Sequence, residues 1–438
     1  MENGEHSDCS VAEVAAAAIW WMMVMGQQLL KSSFFRFPLS SLRHTYSSTT
    51  TTTREYLMLF CGILTCRRSK IYLRKMTSNS NPAPKSPIFI PLQQTDLITS
   101  ITKPSASKFR VASYNLLAQV YVKSSLFPHS PRSCLRWKNR SQALLTVLKS
   151  LGADILCLQE LDEYDSFYKT NIEGLGYSSI YIQRNGEKRD GCGIFYNTNI
   201  VEMVLEERIE YNDLVHTIKD ATSTPDGGPA SSTKVPSQKD VRADRGDPSD
   251  PRVRLKRDCV GIMAAFRLKD PSHHLVVVAN THIYWDPEWA DVKLAQVKYL
   301  LSRLDTFKNL VADKFECDPS VIVTGDFNST PGDKVYQYLT SGDPSSASHP
   351  QCLDELPIPL CSVYAHTRGR EPTFTNCTPD FTNTLDYIFF SLSGRIKPVS
   401  FLELPELNSE DVTGCLPNLH HPSDHLPIGA DFEVMSDD

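Results

Sequence analysis

The feature that most restricts how this chain can fold is a series of short apolar runs, each ending in a polar tip. VIVTGDFN is a β-branched run that halts at Gly325 and delivers Asp326 and Asn328. Residues two apart in extended backbone share a face, so both side chains can point at one place. LVVVANTH runs the same way into Asn280 and His282, DILCLQE ends at Glu160, and FRVASYN ends at Asn115. TLDYIFF alternates around Asp386, and SDH sets Asp424 and His425 ahead of LPI. Polar groups are costly in the middle of a sheet covered on both faces and sit more comfortably at strand ends. The pattern predicts strands whose tips converge on one mouth.

Between these runs the apolar spacing becomes helical. Trp137 to Leu151 places Leu144, Leu145 and Leu148 on one face, and Trp289 to Leu304 does so with Val292, Ala295, Val297 and Leu300. Strands alternating with helices indicate an α/β domain. The chain is 41% hydrophobic and 22% charged over 438 residues, ordinary usage with ample material for a large core. No internal repeat is visible, and no leucine-rich repeat array precedes Phe109.

Charge is unevenly spread. Residues 1–108 hold twelve Lys/Arg against six Asp/Glu, whereas the remainder holds 33 against 45. So acidic a region is not a general nucleic-acid coat. It needs cations and local basic strips to receive a polyanion. From Val14 to Thr95 the only acidic residue is Glu55, amid scattered Arg, Lys, Ser and Thr. That composition reads either as a mitochondrial or plastid transit segment or as a disordered extension. Its apolar patches, Val14–Met25 and Tyr56–Leu64, are shorter than the roughly 20 residues a membrane-spanning helix needs, so no transmembrane helix is expected. Asn79 to Pro91 reads as a Pro/Ser linker, which places the extension at residues 1–108 and the folded domain at 109–438. Within that domain residues 217–256 are nearly devoid of apolar residues and read as a flexible loop. Its basic end, Arg252 to Arg257, can lie along a phosphate backbone. The twelve cysteines form no CxxC pair, which suggests reduced thiols in an intracellular protein of the cytoplasm or nucleus.

The polar tips carry the chemistry. Each has a plain structural reading: Asn115 can cap a turn, Glu160 can pair or cap a helix, and His282 can make one structural hydrogen bond. GDFN and SDH are harder to explain as mere turns, and Asp386 facing inward needs a partner, for which a histidine is the natural choice. Together, carboxylates, amides and histidines are what metal-assisted phosphoester hydrolysis uses.

In this order NLL, LQE, NTH, GDFN, LDYIF and SDH resemble the endonuclease/exonuclease/phosphatase superfamily, over Phe109 to about Phe432. DGCGIFY at Asp190 to Tyr196 and NTHIYWDPEWADVKLAQ at Asn280 to Gln296 are similar to the carbon catabolite repressor 4 deadenylases and nocturnin, and above all to short plant homologues of the former. The resemblance implies a four-layer αββα sandwich and a Mg²⁺-dependent 3′–5′ exoribonuclease that shortens single-stranded poly(A) and releases 5′-AMP. One or two Mg²⁺ ions are implied, with Mn²⁺ able to substitute. Carried over residue by residue, Glu160 is a direct metal ligand with Asn115 beside it. Asp326 positions the attacking water or a second metal, with Asn328 adjacent. His282 contacts the scissile phosphate, and His425 is a general base or phosphate contact oriented by Asp386. Asp424 lies on the metal side. Pro287, Asn376 and Phe381 match positions that hold an adenine. The rival readings are a nocturnin-like phosphatase acting on the 2′-phosphate of NADP(H), a DNA-repair endonuclease and a catalytically idle RNA-binding scaffold. Without leucine-rich repeats, docking to the large deadenylase complex is not expected.

Overall fold

The computed structural model describes residues 84–92, 107–218, 247, 249–342, 356–392 and 394–435. All belong to one compact unit, Thr77–Asp438. The transit-segment expectation falls outside the described residues. Among the described residues no helix is long and apolar enough to cross a membrane.

The strands, in chain order, are β1 (Phe89–Pro91), β2 (Lys108–Asn115), β3 (Ile155–Gln159), β4 (Tyr177–Gln183), β5 (Gly191–Asn197), β6 (Val201–Glu210), β7 (Val260–Leu268), β8 (Leu275–His282), β9 (Ser320–Asp326), β10 (Leu360–Ser362), β11 (Asn376–Thr378), β12 (Phe381–Asn383), β13 (Asp386–Ser391), β14 (Ile396–Leu402) and β15 (Ile428–Val434). They form a seven-stranded sheet, β1-β14-β15-β2-β3-β5-β4, a six-stranded sheet, β10-β13-β9-β8-β7-β6, and the small hairpin β11-β12. Each large sheet has one parallel pair at its centre, β2 with β3 and β8 with β9.

The two sheets pack face to face. Val111, Ile155, Ile194, Ile262, Val278 and Ile388 belong to the core between them. Alternate residues of the same strands point outward and meet helices, as the two-residue period of a strand requires. Ala112 and Leu156 pack with Leu144 and Leu148 of α1 (Trp137–Leu151), and Val277 and Val323 pack with Leu300 and Leu304 of α2 (Ala290–Phe315). This is the four-layer αββα sandwich that the motif order implies. Gly152, left-handed at φ 55°, ends α1 and returns its N–H to the Lys149 carbonyl. Helix α2 runs eleven residues beyond the expected Leu304, because Phe307 and Val311 continue its buried face.

Two boundaries differ from the sequence reading. The folded region takes in β1, from the segment read as linker, which pairs antiparallel with β14 at the sheet edge. An edge is where a strand tolerates Pro91. Phe89 is held there by the Arg110 guanidinium, 3.6 Å above its ring. The stretch expected to be a flexible loop over residues 217–256 is folded at its basic end. Asp250 caps a helical turn, Pro251–Arg254, by accepting the Arg252 N–H at 2.8 Å. Arg254 lies 3.9 Å over the Trp289 ring and donates to both carboxylate oxygens of Asp291, at 2.6 and 2.7 Å. Arg257 is buried and sits 4.1 Å over the same ring. Residues 219–246 lie outside the description.

Candidate active site

Strand register assembles the site. In the parallel pair β8–β9, His282 stands beside Asp326, and in the antiparallel pair β9–β13, Asp386 stands opposite Asp326. Three polar tips, far apart in the chain, thus share one row at one end of the six-stranded sheet. Gly325 is required in the row before it, beside Thr281 and Tyr387. Its φ is 146°, and a Cβ there would strike the Thr281 carbonyl of β8.

The facing sheet supplies the other half. Parallel β2 and β3 set Asn115 beside Gln159, and Glu160 follows. Its φ of 54° is left-handed, as are those of Leu117 (56°) and Asn328 (45°). Non-glycine residues held there carry strain of about 1–3 kcal/mol each, and such residues cluster at functional sites. The Asn115 amide group spans the two sheets. Its Nδ2 donates to Asp326 Oδ2 at 2.9 Å and to Glu160 Oε1 at 3.2 Å, while its Oδ1 accepts the Leu117 N–H at 3.0 Å. In this arrangement one Asn115 amide nitrogen ties the two carboxylates together, and its oxygen is taken by the Leu117 N–H. Glu160 Oε2 accepts the Ala118 N–H at 2.9 Å.

Two histidines flank Asp326. His282 Nε2 lies 3.5 Å and His425 Nε2 3.6 Å from its Oδ2. The Nδ1–H of His425 donates to Asp386 Oδ2 at 2.7 Å, and that oxygen also takes the Thr375 hydroxyl at 2.6 Å. The backbone N–H of Asp386 returns to Thr375 Oγ1 at 3.1 Å. Thr375 is a site residue that sequence reasoning missed, since a threonine ten residues before LDYIF carries no distinguishing pattern. The SDH segment is pinned by Ser423, whose hydroxyl donates to the Asn115 carbonyl at 2.7 Å. Asp326 Oδ1 accepts the Asn328 N–H at 2.9 Å. The Asn328 side-chain amide turns back to the Ile283 carbonyl at 3.0 Å, and Lys293 Nζ reaches the Asn328 carbonyl at 2.6 Å.

The electrostatics are acidic and buried. Desolvation raises the carboxyl pKa of Glu160, with Asp424 and Asp190 adding to the rise and His282 opposing it. Burial likewise raises Asp386 against the pull of His425. For His425 burial opposes the charge, but Asp386 and Asp326 outweigh it and push the imidazolium well above its usual range. Asp424, partly exposed, acts on both Glu160 and His425, which places it at the same mouth. Asp326, Asp386 and His425 offer ligand atoms within 4.8 Å of one another. Asp386 Oδ2 and His425 Nδ1 are already bonded to each other, so that pair reads better as a proton-handling dyad. Glu160 and Asp326 remain the carboxylates best placed for a cation.

At the rim, β11 and β12 form a hairpin whose first residue, Asn376, bridges to His425. Asn376 is buried, whereas Phe381 is 41% exposed. Pro287 belongs to another rim element, the exposed turn Pro287–Trp289 after β8, and takes no part in the hydrogen-bonded cluster. Asn280, also at the end of β8, is not part of the mouth. Its Nδ2 donates to the Leu158 and Gly193 carbonyls of the opposite sheet, each at 2.9 Å, and its Oδ1 accepts Gln159 Nε2 at 2.7 Å. It ties the sheets together just beneath the site.

A model of the Endonuclease/Exonuclease/phosphatase family matches residues 112–425, which spans all of these side chains from Asn115 to His425. Carbon catabolite repressor protein 4 homolog 4 of Arabidopsis thaliana is 63% identical over 334 residues, 75% of this chain and 78% of the relative. The CCR4-Not complex 3′-5′-exoribonuclease subunit Ccr4 of Schizosaccharomyces pombe is 29% identical over 386 residues, 76% of this chain. The match takes in 51% of that relative, so this chain spans about half its length. Among solved structures, ANGEL2, a 2′,3′-cyclic phosphatase, superposes with a TM-score of 0.59 at 25% identity, covering 80% of this chain and 99% of that one. The human nocturnin catalytic domain superposes at 0.53 and 23%, covering 80% and 97%.

Proposed function

The chain belongs to the endonuclease/exonuclease/phosphatase family, and we propose that it is a Mg²⁺-dependent 3′–5′ exoribonuclease that removes poly(A) from single-stranded RNA and releases 5′-AMP. The observation that carries this reading is the tie between chemistry and base recognition. Asn376, which can pair with the amino edge of adenine, is bridged to His425, and the same hairpin presents the open face of Phe381. The name of the yeast relative, a 3′-5′-exoribonuclease subunit, supports the same substrate class.

The residues present fit a hard divalent cation. Glu160 and Asp326 are held 3.2 and 2.9 Å from one amide nitrogen, with the Asp424 carboxylate acting on Glu160, so oxygen donors gather where burial disfavours uncompensated negative charge. Mg²⁺, one ion or two, would be held by Glu160 and Asp326, with Mn²⁺ able to substitute. When bound it supplies Lewis-acid stabilisation of charge on phosphate oxygens. The chain's own groups do the rest. Asp386 fixes the His425 tautomer, leaving Nε2 as the atom that exchanges a proton at the scissile phosphate or carries its charge. His282, on the other side of Asp326, faces the same phosphate. Asn115 keeps the two carboxylates at fixed spacing, and Asn328, its own amide engaged, holds the turn that aims Asp326. Pro287 bounds the base from the β8 side.

The test is one experiment with three substrates. The purified chain with Mg²⁺ is offered A-tailed RNA with a free 3′ hydroxyl, the same RNA ending in a 2′,3′-cyclic phosphate, and NADPH. Stepwise shortening of the first with 5′-AMP release supports the reading. Turnover of only the second or third would replace it with a phosphatase of the same fold, and no turnover of any would leave a scaffold.

A further inference from the structure

Among the described residues only two of the Phe, Tyr and Trp side chains are exposed, Phe381 at 41% and Trp285 at 63%. Both stand on loops rooted in the site. Phe381 lies on the hairpin bridged to His425. Trp285 lies three residues beyond His282, and three residues of chain span at most about 10 Å. The Asn376/Phe381 hairpin has a place in the proposed reaction, whereas Trp285 has none so far.

The loop that carries Trp285 is braced on both sides of the indole. The backbone N–H of Tyr284 donates to buried Gln296 at 2.8 Å. Asp286 caps the following turn by accepting the Glu288 N–H at 3.0 Å, and its carbonyl takes the Trp289 N–H at 3.2 Å. Tyr284 meets the Trp289 ring edge-on at 5.7 Å, and Arg254 and Arg257 cover that ring at 3.9 and 4.1 Å. The Trp285 indole touches only the Tyr284 ring among its aromatic neighbours, at 6.1 Å. A large indole held out of the core by a braced loop gains nothing for folding, since apolar surface left in water forgoes its burial energy. It does offer a flat face of fixed position, which is how sequence-tolerant sites hold single-stranded nucleic acid. Arg254 is paired with Asp291 and Arg257 is buried, so the charge offered to a phosphate backbone on this side of an otherwise acidic mouth is that of exposed Lys256 on the same segment.

We propose that Trp285 is a second base-stacking platform, taking the base of a nucleotide on the 5′ side of the one being removed. This rests on the exoribonuclease reading and deepens it. The enzyme would hold its RNA by two separated aromatic contacts, Phe381 and Trp285, and so would favour an oligonucleotide over a mononucleotide-sized substrate.

The test uses the full chain and a set of 5′-labelled oligoadenylates, each lacking the base at one position counted from the 3′ end. For the wild-type enzyme, kcat/KM falls about 5- to 150-fold when the missing base is the one that stacks on Trp285. Trp285→Ala lowers kcat/KM on intact oligoadenylate by the same factor and loses the sensitivity to that one abasic site, while Trp285→Phe keeps most of both. The position must lie 5′ of the terminal nucleotide. If Trp285→Ala responds to every abasic site as the wild type does, the platform is overturned while the exoribonuclease reading stands. If the wild type fails to shorten any oligoadenylate, both fall together.

Discussion

His425 and Asp386 form a buried pair, Nδ1 to Oδ2 at 2.7 Å, built from two segments 39 residues apart. Asp386 belongs to a strand whose register is set by β9, whereas His425 belongs to a loop pinned by Ser423, so their distance reports whether both halves of the domain are in place. His425→Ala should cut kcat at least about 100-fold, the lower end for a positioned proton-transfer group. Asp386→Asn should behave likewise but more mildly. The double variant should be little worse than His425→Ala, because the two act as a unit. Steady-state kinetics on A-tailed RNA check this, and full additivity would dissolve the dyad.

Activity should vanish in EDTA and return with Mg²⁺ or Mn²⁺. Glu160→Gln keeps the shape of the side chain and removes its charge. It should weaken metal-dependent activity by at least about 10- to 100-fold, the range found for altering even the residues behind a ligand. Its melting temperature should barely move, since the site is a strand tip at an open mouth. Titrating Mg²⁺ against rate for both proteins decides the point. An unchanged metal requirement in the variant would remove Glu160 from the cation's holders.

Asn280 is the structural counterpart of these residues. Asn280→Ala removes the amide donor from the Leu158 and Gly193 carbonyls in the buried space between the sheets, while the Gln159 amide keeps Ser113 Oγ at 3.0 Å. Each buried group left unsatisfied costs about 1–3 kcal/mol. Denaturant unfolding should therefore show a large loss of stability, unlike Glu160→Gln. A stability change within experimental scatter would mean that water replaces the amide.

Acidification should loosen the loop that leads into the SDH segment. Burial lowers the His421 pKa although Asp411 pulls it upward, so His421 is neutral in the fold. A depressed histidine contributes stability that is present above the unfolded value near 6.5 and is lost as pH falls through the folded one. Asp411 is lowered to about 2. Burial opposes this, but Ser409, Lys85 and His421 outweigh it with their hydrogen bonds. Its contribution is present above the unfolded value near 3.9 and is lost between there and about 2. The melting temperature should decline from about pH 6.5 downward. His421→Asn should flatten the upper part of that decline and Asp411→Asn the lower part. Parallel profiles for wild type and variants would refute the assignment.

If Phe381 stacks on the base being removed, poly(A) should be shortened faster than poly(U) or poly(C). Phe381→Ala should lower rate and preference together by about 5- to 150-fold. Time courses on matched homopolymers test this. Equal rates on all three, unchanged in the variant, would leave a phosphodiesterase without base selectivity.

Much of the molecule was determined by local pattern. VIVTGDFN and LVVVANTH could only be buried strands with polar ends, because β-branched runs of that length bury both faces and cannot carry charge mid-sheet. The helices α1 and α2 were legible from their apolar stripes. What the pattern could not supply was anything set by a partner from elsewhere in the chain. That β1 belongs to the sheet depends on an open edge at β14, over 300 residues away. That Asn280 ties the sheets while His282 faces the mouth depends on where the opposite sheet's carbonyls lie, for the two residues look alike in sequence. The order of strands and their register brought Asp326 between two histidines, turned Asn115 toward two carboxylates and chose Thr375 as the support of Asp386. Sequence determines which side chains a strand tip can afford, by burial and periodicity. Which tips meet is decided by hydrogen-bond register between strands distant in the chain, and only the tertiary structure contains that information.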